Sequence, residues 1–443
     1  MVRRLNETGG PAALFEKLKG YPKGHRIVGG HTASLPRLAM TFGLKRNATY
    51  SEVLDTYIER RSNPIKPITV STGPCKENIM KGDDVDLFRF PTPMIHDGDG
   101  GRYLGTLYAG AYKDLDSDWV NWGTYRVMIH DKNHTGIFIS PVNHGGMILK
   151  KYERANRPMQ YACFIGVDPL INQVATSGVP YGETEVDVAG GLFGEPLELV
   201  KAETVDLMVP ARAEIVLEGE ILPNERRNEG PFGEYPGYVV SGVVPRPVFK
   251  VNAITYRNDP IITMVALGTP VDDGHAQGGL SLNADIKIDL LRAGIPITEV
   301  YVPPECACGM AVVGVHNVYH GIPQRAANCI WTNRNGQVIP HVIVVDDDVD
   351  PTNMNEVMHA LSVKCNPATG IHIQAGASNC SLTPYLPAAT REIGKGGGNV
   401  LYDCTWPLDW PKQDIPRKGA FKTIFPKEMQ DKVIARWKEY GLS

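Results

Sequence analysis

Two glutamates that flank a turn in the middle of the chain constrain its fold most strongly. Glu229 and Glu234 stand five positions apart in Asn-Glu-Gly-Pro-Phe-Gly-Glu, residues 228–234. A straight strand would send them to opposite faces, and a regular helix would place them about 140° apart. Because Pro231 fixes φ and the neighbouring glycines permit positive φ, the segment predicts a bend that brings both carboxyl groups together.

Such a carboxyl pair is suited to general acid chemistry. Burial among aromatic side chains and mutual repulsion raise the pKa of one carboxyl group, while a nearby arginine keeps the other ionised. The alternative is an exposed hairpin whose charges pair at the surface. Composition alone does not separate the two interpretations.

Composition excludes several classes of protein. The chain has 443 residues, 42% of them hydrophobic and 21% charged, and a net charge of −4, as in an ordinary globular protein. It has no basic cluster of the kind that binds nucleic acid and no apolar run of membrane-spanning length. We therefore expect a cytoplasmic protein with a small-molecule partner and neither a nucleic-acid nor a membrane partner. The eight scattered cysteines predict reduced, mostly structural thiols.

The pattern along the chain predicts three parts in a mixed α/β (α+β) fold. Residues 1–65 form a small α/β segment, with a helix over 11–18 and another capped by Ser51. Residues 66–280 contain short β-like runs whose spacing predicts an antiparallel barrel. Residues 281–443 return to α/β. The predicted β-like runs are 103–111, 124–130, 135–139, 161–167, 213–219 and 248–256.

The third part begins with a helix after Ser281, and a strand over 341–345 follows later. Asp350 and Pro351 predict the start of the next helix. The tail, 427–440, has the pattern of an amphipathic helix that packs on the body or on another subunit.

Asn121, His144 and Glu185 form a second candidate set, each beside glycines near the end of a predicted element. An amide oxygen, an imidazole and a carboxylate together suit a Mn²⁺ or Mg²⁺ ion. Each residue alone is more often part of a turn or a satisfied polar group.

These segments together resemble the UbiD family of prenylated-flavin-dependent decarboxylases, over nearly the whole chain. The most specific motifs are Asn121-x-Gly-x-Tyr-Arg126, His144-Gly-Gly, Glu185-x-x-x-Ala-Gly, Asn-Glu-Gly-Pro-Phe-Gly-Glu at 228–234 and Val344-Val345-Asp346-Asp347-Asp348. The resemblance implies a central split β-barrel of the flavin-reductase type, flanked by N- and C-terminal α/β segments. It also implies that the C-terminal amphipathic helix assists assembly into a homodimer or homohexamer.

The resemblance further implies the residues of the active site. Arg126, Glu229 and Glu234 would form the family's catalytic network. Asn121, His144 and Glu185 would hold a divalent ion, usually Mn²⁺, that bridges to the flavin phosphate, with K⁺ nearby. The residues implied to bind prenylated FMN, a cofactor that a flavin prenyltransferase supplies, are Asn121, Thr124, Tyr125, Arg126, Asn143, His144, Ser177 and Glu185.

The implied activity is reversible, non-oxidative decarboxylation of an unsaturated, aromatic or heteroaromatic acid. In the family, substrate and flavin form a covalent adduct, CO₂ leaves and a carboxylic acid returns a proton. Glu234 is our candidate for that acid, and Arg126 for positioning the substrate carboxylate. Leu267 lies where the family places pocket residues, and its weakly polar surroundings favour a pyrrole, indole or simple benzoate over a catechol.

Several alternatives stay open. His275 is either a plain loop histidine or a pocket residue that reaches a ring hydroxyl, which would favour a hydroxybenzoate-type phenolic acid. A flavin-binding reductase or carrier is a different class of protein, although it would not require Arg126, Glu229 and Glu234 around the flavin.

Two positions depart from the family pattern. The Gly-Gly-Pro-Ala motif begins at Gly9, so the N-terminal part is expected to be short. His341 stands where the family commonly has a lysine that reaches the cofactor phosphate, and a neutral imidazole is a weaker phosphate partner.

Overall fold

The fold is taken from a computed structural model that describes residues 1–442, apart from 142, 241, 334–335, 378–379 and 393–395. The helices are α1 Val2–Glu7, α2 Leu35–Thr41, α3 Tyr50–Arg61, α4 His144–Arg154, α5 Pro169–Ala175, α6 Glu185–Phe193, α7 Asp273–Arg292, α8 Ile322–Thr332, α9 Met354–Val363, α10 Ala388–Glu392, α11 Phe421–Ile424 and α12 Lys427–Ala435. The strands are β1 Ala13–Phe15, β2 Arg26–Gly29, β3 Ile68–Thr69, β4 Asn78–Lys81, β5 Tyr103–Gly105, β6 Tyr108–Lys113, β7 Val120–Gly123, β8 Val127–Ile129, β9 His134–Ile137, β10 Met159–Ile165, β11 Glu198–Lys201, β12 Met208–Pro210, β13 Ile215–Glu229, β14 Val244–Tyr256, β15 Ile261–Met264, β16 Ile297–Tyr301, β17 Met310–Val315, β18 His341–Asp346, β19 Ile371–Ala377 and β20 Gly397–Cys404.

An antiparallel sheet forms the centre of the molecule. Its strands follow the order β5-β8-β9-β14-β13-β10-β6-β7, and β4 pairs with β14. β5 and β7 lie at the two ends of this order, so the described residues form an open sheet, and the predicted barrel is not closed. The two longest strands, β13 and β14, pair along their length and bring Glu229 opposite Val244.

Both faces of the central sheet are covered, because successive side chains of β13 enter different cores. Ile215 and Leu217 belong to one buried cluster, with Tyr161 and Phe249. Val216, between them, belongs to a second cluster on the other face. Burial on both faces explains why β13 begins with three consecutive apolar residues, Ile215, Val216 and Leu217.

A smaller sheet forms the C-terminal part, with strand order β16-β17-β18-β20-β19. Its inner strands, β17, β18 and β20, are parallel. Helix α7 precedes this sheet and begins at Asp273, earlier than the predicted start after Ser281. An N-terminal sheet of β1, β2 and β15 connects the start of the chain to the segment that precedes α7.

Three local predictions were wrong. Residues 13–15 form β1 and pair with β2, because tertiary pairing overrides weak helix propensity in a short segment. Helix α3 is capped by Thr49, whose hydroxyl accepts from the backbone N–H of Glu52, and not by Ser51. Helix α9 is capped by Asn353, since Asp350 binds Thr352 in the preceding turn.

The C-terminal segment leaves apolar side chains at the surface. Helix α12 ends at Ala435, and a short 3₁₀ turn, Trp437–Tyr440, follows. Met429, Ile434 and Trp437 are 50%, 57% and 44% exposed, so about half of each side chain is left uncovered. Among the described residues, no helix is both long and apolar enough to cross a membrane.

Candidate active site

Arg126 lies between Glu229 and Glu234 in a buried ion-pair network. Its Nε and Nη2 donate to the two oxygens of Glu229 at 2.9 and 2.7 Å. Its Nη1 donates to Glu234 Oε1. The exposed fractions are 9% for Arg126, 0% for Glu229 and 6% for Glu234, so the guanidinium pairs with both carboxyl groups out of bulk water. The predicted trio is therefore brought together.

Local backbone structure explains how the two glutamates meet. Glu229 is the last residue of β13, and Gly230 follows with φ +88°, which a side chain would disfavour. Phe232 then buries its ring completely and fixes the turn in the interior. Glu234 emerges beyond the turn on the side of Arg126, which stands directly before β8.

Aromatic rings surround the guanidinium of Arg126. Its central carbon lies 4.9 Å from the ring centre of Phe138 and 5.5 Å from that of Phe232. These contacts add cation–π attraction and keep water away from the guanidinium.

Tyr103 is a site residue that sequence reasoning missed. Its hydroxyl donates to Glu229 Oε1 at 2.7 Å, and its ring lies 4.1 Å from that of Phe232. Burial, together with the negative charge of Glu229, raises the pKa of Tyr103, so the phenol keeps its proton. No motif marked this tyrosine, because its contact depends on pairing across the sheet between distant segments.

We expect Tyr103→Phe to lower the free energy of unfolding by about 1.5–3 kcal/mol, because Glu229 loses a hydrogen bond to a buried charge. The matched control is Tyr112→Phe, which removes a neutral hydrogen bond to Tyr125 and should cost about 0.5–1.5 kcal/mol. Urea unfolding of both variants checks this. A smaller loss for Tyr103→Phe than for the control would contradict the expectation.

A cavity of about 440 Å³ opens beside the network. Arg126 and Glu234 line it, as do Thr124, Tyr125 and Asn143, three of the residues predicted to bind the cofactor. Leu267, the other candidate for the substrate pocket, also lines this cavity. The remaining walls come mainly from apolar side chains and from α7, namely Leu107, Phe138, Phe232, Val265, Gly274, Gln277, Gly278, Leu282, Cys308 and Val338.

His275, a candidate for the substrate pocket, does not line this cavity. His275 is fully buried in the first turn of α7. Its Nε2 lies 2.6 Å from the carbonyl oxygen of Tyr235, and its Nδ1 faces Asp272. The side chain makes contacts within the chain, a role that the local sequence does not reveal.

Two members of the predicted metal set are in contact. Asn121 Nδ2 donates to Glu185 Oε1 at 3.1 Å, and the backbone N–H of Trp122 donates to Glu185 Oε2 at 2.8 Å. Glu185 is 3% exposed, and Asn121 Oδ1 is buried with no hydrogen-bond partner among the described residues. This pair thus offers buried oxygen atoms, and oxygen is the ligand that a hard divalent cation prefers.

His144 lies beside the same segments, at the start of α4. Its ring is 5.3 Å from that of Trp119 and 5.4 Å from that of Tyr181, and Trp119 Nε1 donates to the carbonyl of Glu183. Within the described part of the chain, no group of three or more His, Cys, Asp or Glu side chains could hold a metal ion. Any ion here would therefore depend on the amide of Asn121.

The other predicted cofactor residues have structural contacts as well. Asn143 caps α4 by accepting from the backbone N–H of Gly146 at 2.9 Å. A side chain at Gly145 would collide with the hydroxyls of Tyr112 and Tyr125, so the helix start lies tightly against these rings. Ser177 donates to the carbonyl of Val174 at 2.7 Å, just beyond α5, and does not line the cavity.

His341 begins β18 and lines a neighbouring cavity of about 280 Å³ together with Tyr235 and Cys380. Burial lowers the pKa of His341, so its imidazole is neutral near pH 7. The position therefore lacks the positive charge that a lysine would supply.

Models of one family match all three parts of the chain. They are described as the N-terminal domain, the Rift-related domain and the C-terminal domain of 3-octaprenyl-4-hydroxybenzoate carboxy-lyase, and they match residues 1–57, 66–270 and 280–404. The chain belongs to the UbiD family. It is a UbiD-type carboxy-lyase, that is, a decarboxylase.

Similarity to named decarboxylases extends over the whole of this UbiD chain. Pyrrole-2-carboxylic acid decarboxylase of Pseudomonas aeruginosa is 31% identical over 100% of this chain and 92% of its own length. Ferulic acid decarboxylase 1 of Saccharomyces cerevisiae is 30% identical over the same shares.

Solved structures show the same mixed α/β fold. The closed form of vanillic acid decarboxylase from Sedimentibacter hydroxybenzoicus has a TM-score of 0.87 and 28% identity, covering 100% of this chain and 92% of that one. A UbiD-class enzyme of Pelotomaculum thermopropionicum in complex with FMN has a TM-score of 0.82 and 30% identity, with coverages of 93% and 88%. An evolved dimeric form of that enzyme, in complex with prFMN, has a TM-score of 0.78 and 30% identity, with coverages of 91% and 88%.

Proposed function

We propose that this enzyme reversibly decarboxylates a flat, weakly polar aromatic or heteroaromatic acid, with prenylated FMN as its cofactor and without net oxidation. The observation that carries the proposal is the Glu229–Arg126–Glu234 network in the wall of a largely apolar cavity. The flavin complexes of a UbiD-class relative and the names of the decarboxylase relatives support it.

The described residues fit a flavin phosphate held through a metal ion. Asn121 Oδ1 is a buried acceptor without a partner, and the carboxylate of Glu185 lies against the same amide. We propose that Asn121, His144 and Glu185 hold Mn²⁺, that K⁺ binds near this ion, and that a flavin prenyltransferase supplies the cofactor. When bound, the prenylated flavin provides the electron sink that loss of CO₂ from an sp² carbon requires.

The side chains of this chain would orient the substrate and move a proton. Arg126 presents a guanidinium to the cavity, where it can pair with the substrate carboxylate while Glu229 keeps it in place. Among the described residues, Glu229 accepts three hydrogen bonds from Arg126 and Tyr103, whereas Glu234 accepts one. Glu229 is thus engaged in holding Arg126, and we assign to Glu234 the proton that the product requires. Glu234 Oε then delivers that proton to the ring carbon that lost CO₂.

The cavity favours one group of acids. Leu107, Val265, Leu267 and Leu282 present hydrocarbon to the ring of a substrate, and His275 is removed from the pocket by its contact with Tyr235. We therefore favour a pyrrole, indole or simple benzoate carboxylate over a hydroxybenzoate-type phenolic acid, because the wall of the cavity is mainly apolar, although Thr106, Ser140 and Gln277 also line it.

Decarboxylation of a panel of acids tests the proposal. The protein would be produced with and without a flavin prenyltransferase, and product formation from pyrrole-2-carboxylate, indole-3-carboxylate, benzoate and 3,4-dihydroxybenzoate would be measured. We expect activity only with the prenylated cofactor and only on the less polar acids. Equal turnover by protein that contains unmodified FMN would refute the cofactor, and a preference for the dihydroxy acid would refute the substrate class.

We expect His144→Ala to lower manganese and flavin occupancy together, each at least about tenfold, because the ion connects the phosphate to the protein. Metal analysis and the flavin absorbance of the purified protein measure both. The control is His134→Ala, which removes a histidine paired with Asp131 on β9. Full flavin loading in a manganese-free His144→Ala protein would refute the metal assignment.

We also propose that copies of the chain assemble into a homodimer or homohexamer. The exposed apolar side chains of Met429, Ile434 and Trp437 support this, since they remain uncovered in one chain. Light scattering coupled to size exclusion measures the assembly, and a monomer at micromolar concentration would contradict it.

A further inference from the structure

The peptide groups on either side of Glu234 are held by buried side chains from other segments. The backbone N–H of Gly233, which precedes Glu234, donates to Asp99 Oδ1 at 3.2 Å. The carbonyl oxygen of Tyr235, which follows it, lies 2.6 Å from His275 Nε2. Because a carbonyl can only accept, the imidazole carries its proton on Nε2 and donates it to this oxygen.

Asp99 is fixed in turn by His96. Its carboxylate accepts from the backbone N–H of His96 at 2.8 Å and lies 3.1 Å from His96 Nδ1. His96 Nε2 lies 2.5 Å from the carbonyl oxygen of Leu267, in the wall of the cavity. The Asp99–His96 pair therefore connects the turn before Glu234 to the substrate pocket.

His275 is fixed by the start of α7. Asp272 caps this helix, accepting from the backbone N–H of His275 at 3.2 Å, and the backbone N–H of Asp272 donates to His275 Nδ1 at 3.2 Å. Both residues are fully buried. The second contact of the turn is thus as rigid as the helix that supplies it.

The turn itself satisfies the backbone groups of Glu234. Its N–H donates to the carbonyl of Tyr238 at 3.2 Å, and its carbonyl accepts from Gly237 at 3.0 Å. These local bonds fix the shape of the turn but not its position in the molecule. Its position is fixed by contacts with other segments: the buried ring of Phe232, the N–H of Gly100 on the carbonyl of Pro231 at 2.8 Å, and the contacts at Gly233 and Tyr235.

We propose that Asp99 and His275 are positioning residues, which hold the Glu234 carboxyl group where it meets both Arg126 and the reacting carbon. The proposal rests on the proposed function, in which Glu234 delivers the proton. A displacement of about 1 Å in a reacting group can cost about 100-fold in rate, so a loss of either contact should appear in turnover.

Two conservative substitutions of His275 separate positioning from helix capping. Gln places an amide N–H near the Nε2 position and keeps the donor to Tyr235, whereas Asn places its amide near Nδ1 and keeps the contact with Asp272. We expect His275→Asn to lower kcat about 100-fold with KM changed less than about threefold, and His275→Gln to stay within about fivefold of wild type.

Two further measurements connect the effect to Glu234. The solvent deuterium isotope effect on kcat should rise in His275→Asn, because proton delivery becomes slower than the other steps. In a Glu234→Gln background, His275→Asn should cost little more, since residues that act as one unit are not additive. The control is His25→Asn, which changes another buried histidine, distant in sequence and packed against Phe90.

Each outcome decides one claim. If Glu234→Gln keeps near-wild-type turnover, the proposed role of Glu234 fails, whatever His275 does. If Glu234→Gln lowers kcat but His275→Asn leaves it unchanged, His275 does not position Glu234. The same conclusion follows if both His275 variants lower kcat equally. If only His275→Gln is impaired, the imidazole acts through the cap of α7 instead.

Discussion

Replacing Glu234 with Gln is expected to lower kcat about 10²–10⁴-fold, the contribution that a general acid typically makes. Gln keeps the size of the side chain and can still contact Arg126, but it has no acidic proton to deliver. Flavin and metal occupancy should remain unchanged, because Glu234 lies in the cavity wall and is not one of the residues proposed to hold the phosphate. Product formation by cofactor-loaded protein measures the effect.

Two further substitutions serve as comparisons for Glu234→Gln. Glu229→Gln should act differently, by loosening Arg126 and raising KM, because Glu229 holds the guanidinium through two parallel hydrogen bonds. Glu225→Gln changes a partly exposed glutamate of the same strand, paired with Arg227, and should leave turnover unaltered. Near-wild-type turnover in Glu234→Gln would show that another group donates the proton.

Arg126→Lys is expected to lower kcat/KM about 10²–10³-fold, the cost of losing one preorganised donor group in an active site. Lysine retains the positive charge but cannot serve Glu229, Glu234 and a substrate carboxylate at once, because an ammonium lacks the planar fork of a guanidinium. The charge that remains also protects the fold, since the buried carboxylate of Glu229 without a cation would cost several kcal/mol. Steady-state kinetics with loaded cofactor measures the loss.

The matched control for Arg126→Lys is Arg212→Lys, at an exposed arginine that pairs with Glu198. A surface pair contributes little, so this variant should be indistinguishable from wild type. A kcat/KM of Arg126→Lys within about threefold of the control would exclude a fork-shaped contact between Arg126 and the substrate.

Local sequence was sufficient where the chemistry lies within one turn. Gly230 and Pro231 predicted the bend between Glu229 and Glu234, and the structure places both carboxylates on one guanidinium. The choice of Arg126 depended on family resemblance, because it lies about a hundred residues away in sequence. Nothing in its immediate neighbourhood indicates that β8 and β13 bring it to the turn.

The role of a residue could not be predicted from the sequence where that role depends on a partner distant along the chain. Tyr103 reaches Glu229 across the sheet, and His275 turns away from the cavity because Asp272 and Tyr235 bind its ring. Residues 13–15 became a strand because β2 offered an edge for pairing. In each case local propensity was weak, and a contact formed on folding determined the outcome.

The most direct test of the account is exchange of hydrogen at the carbon that loses CO₂. Wild-type protein loaded with cofactor would be incubated with the decarboxylated ring in D₂O, without CO₂, and deuterium in the ring would be followed by NMR. This reaction requires proton transfer to and from the ring carbon but no carboxylate. The account predicts exchange at that carbon in wild type, and exchange at least about 100-fold slower in Glu234→Gln. Equal exchange rates in the two proteins would contradict it.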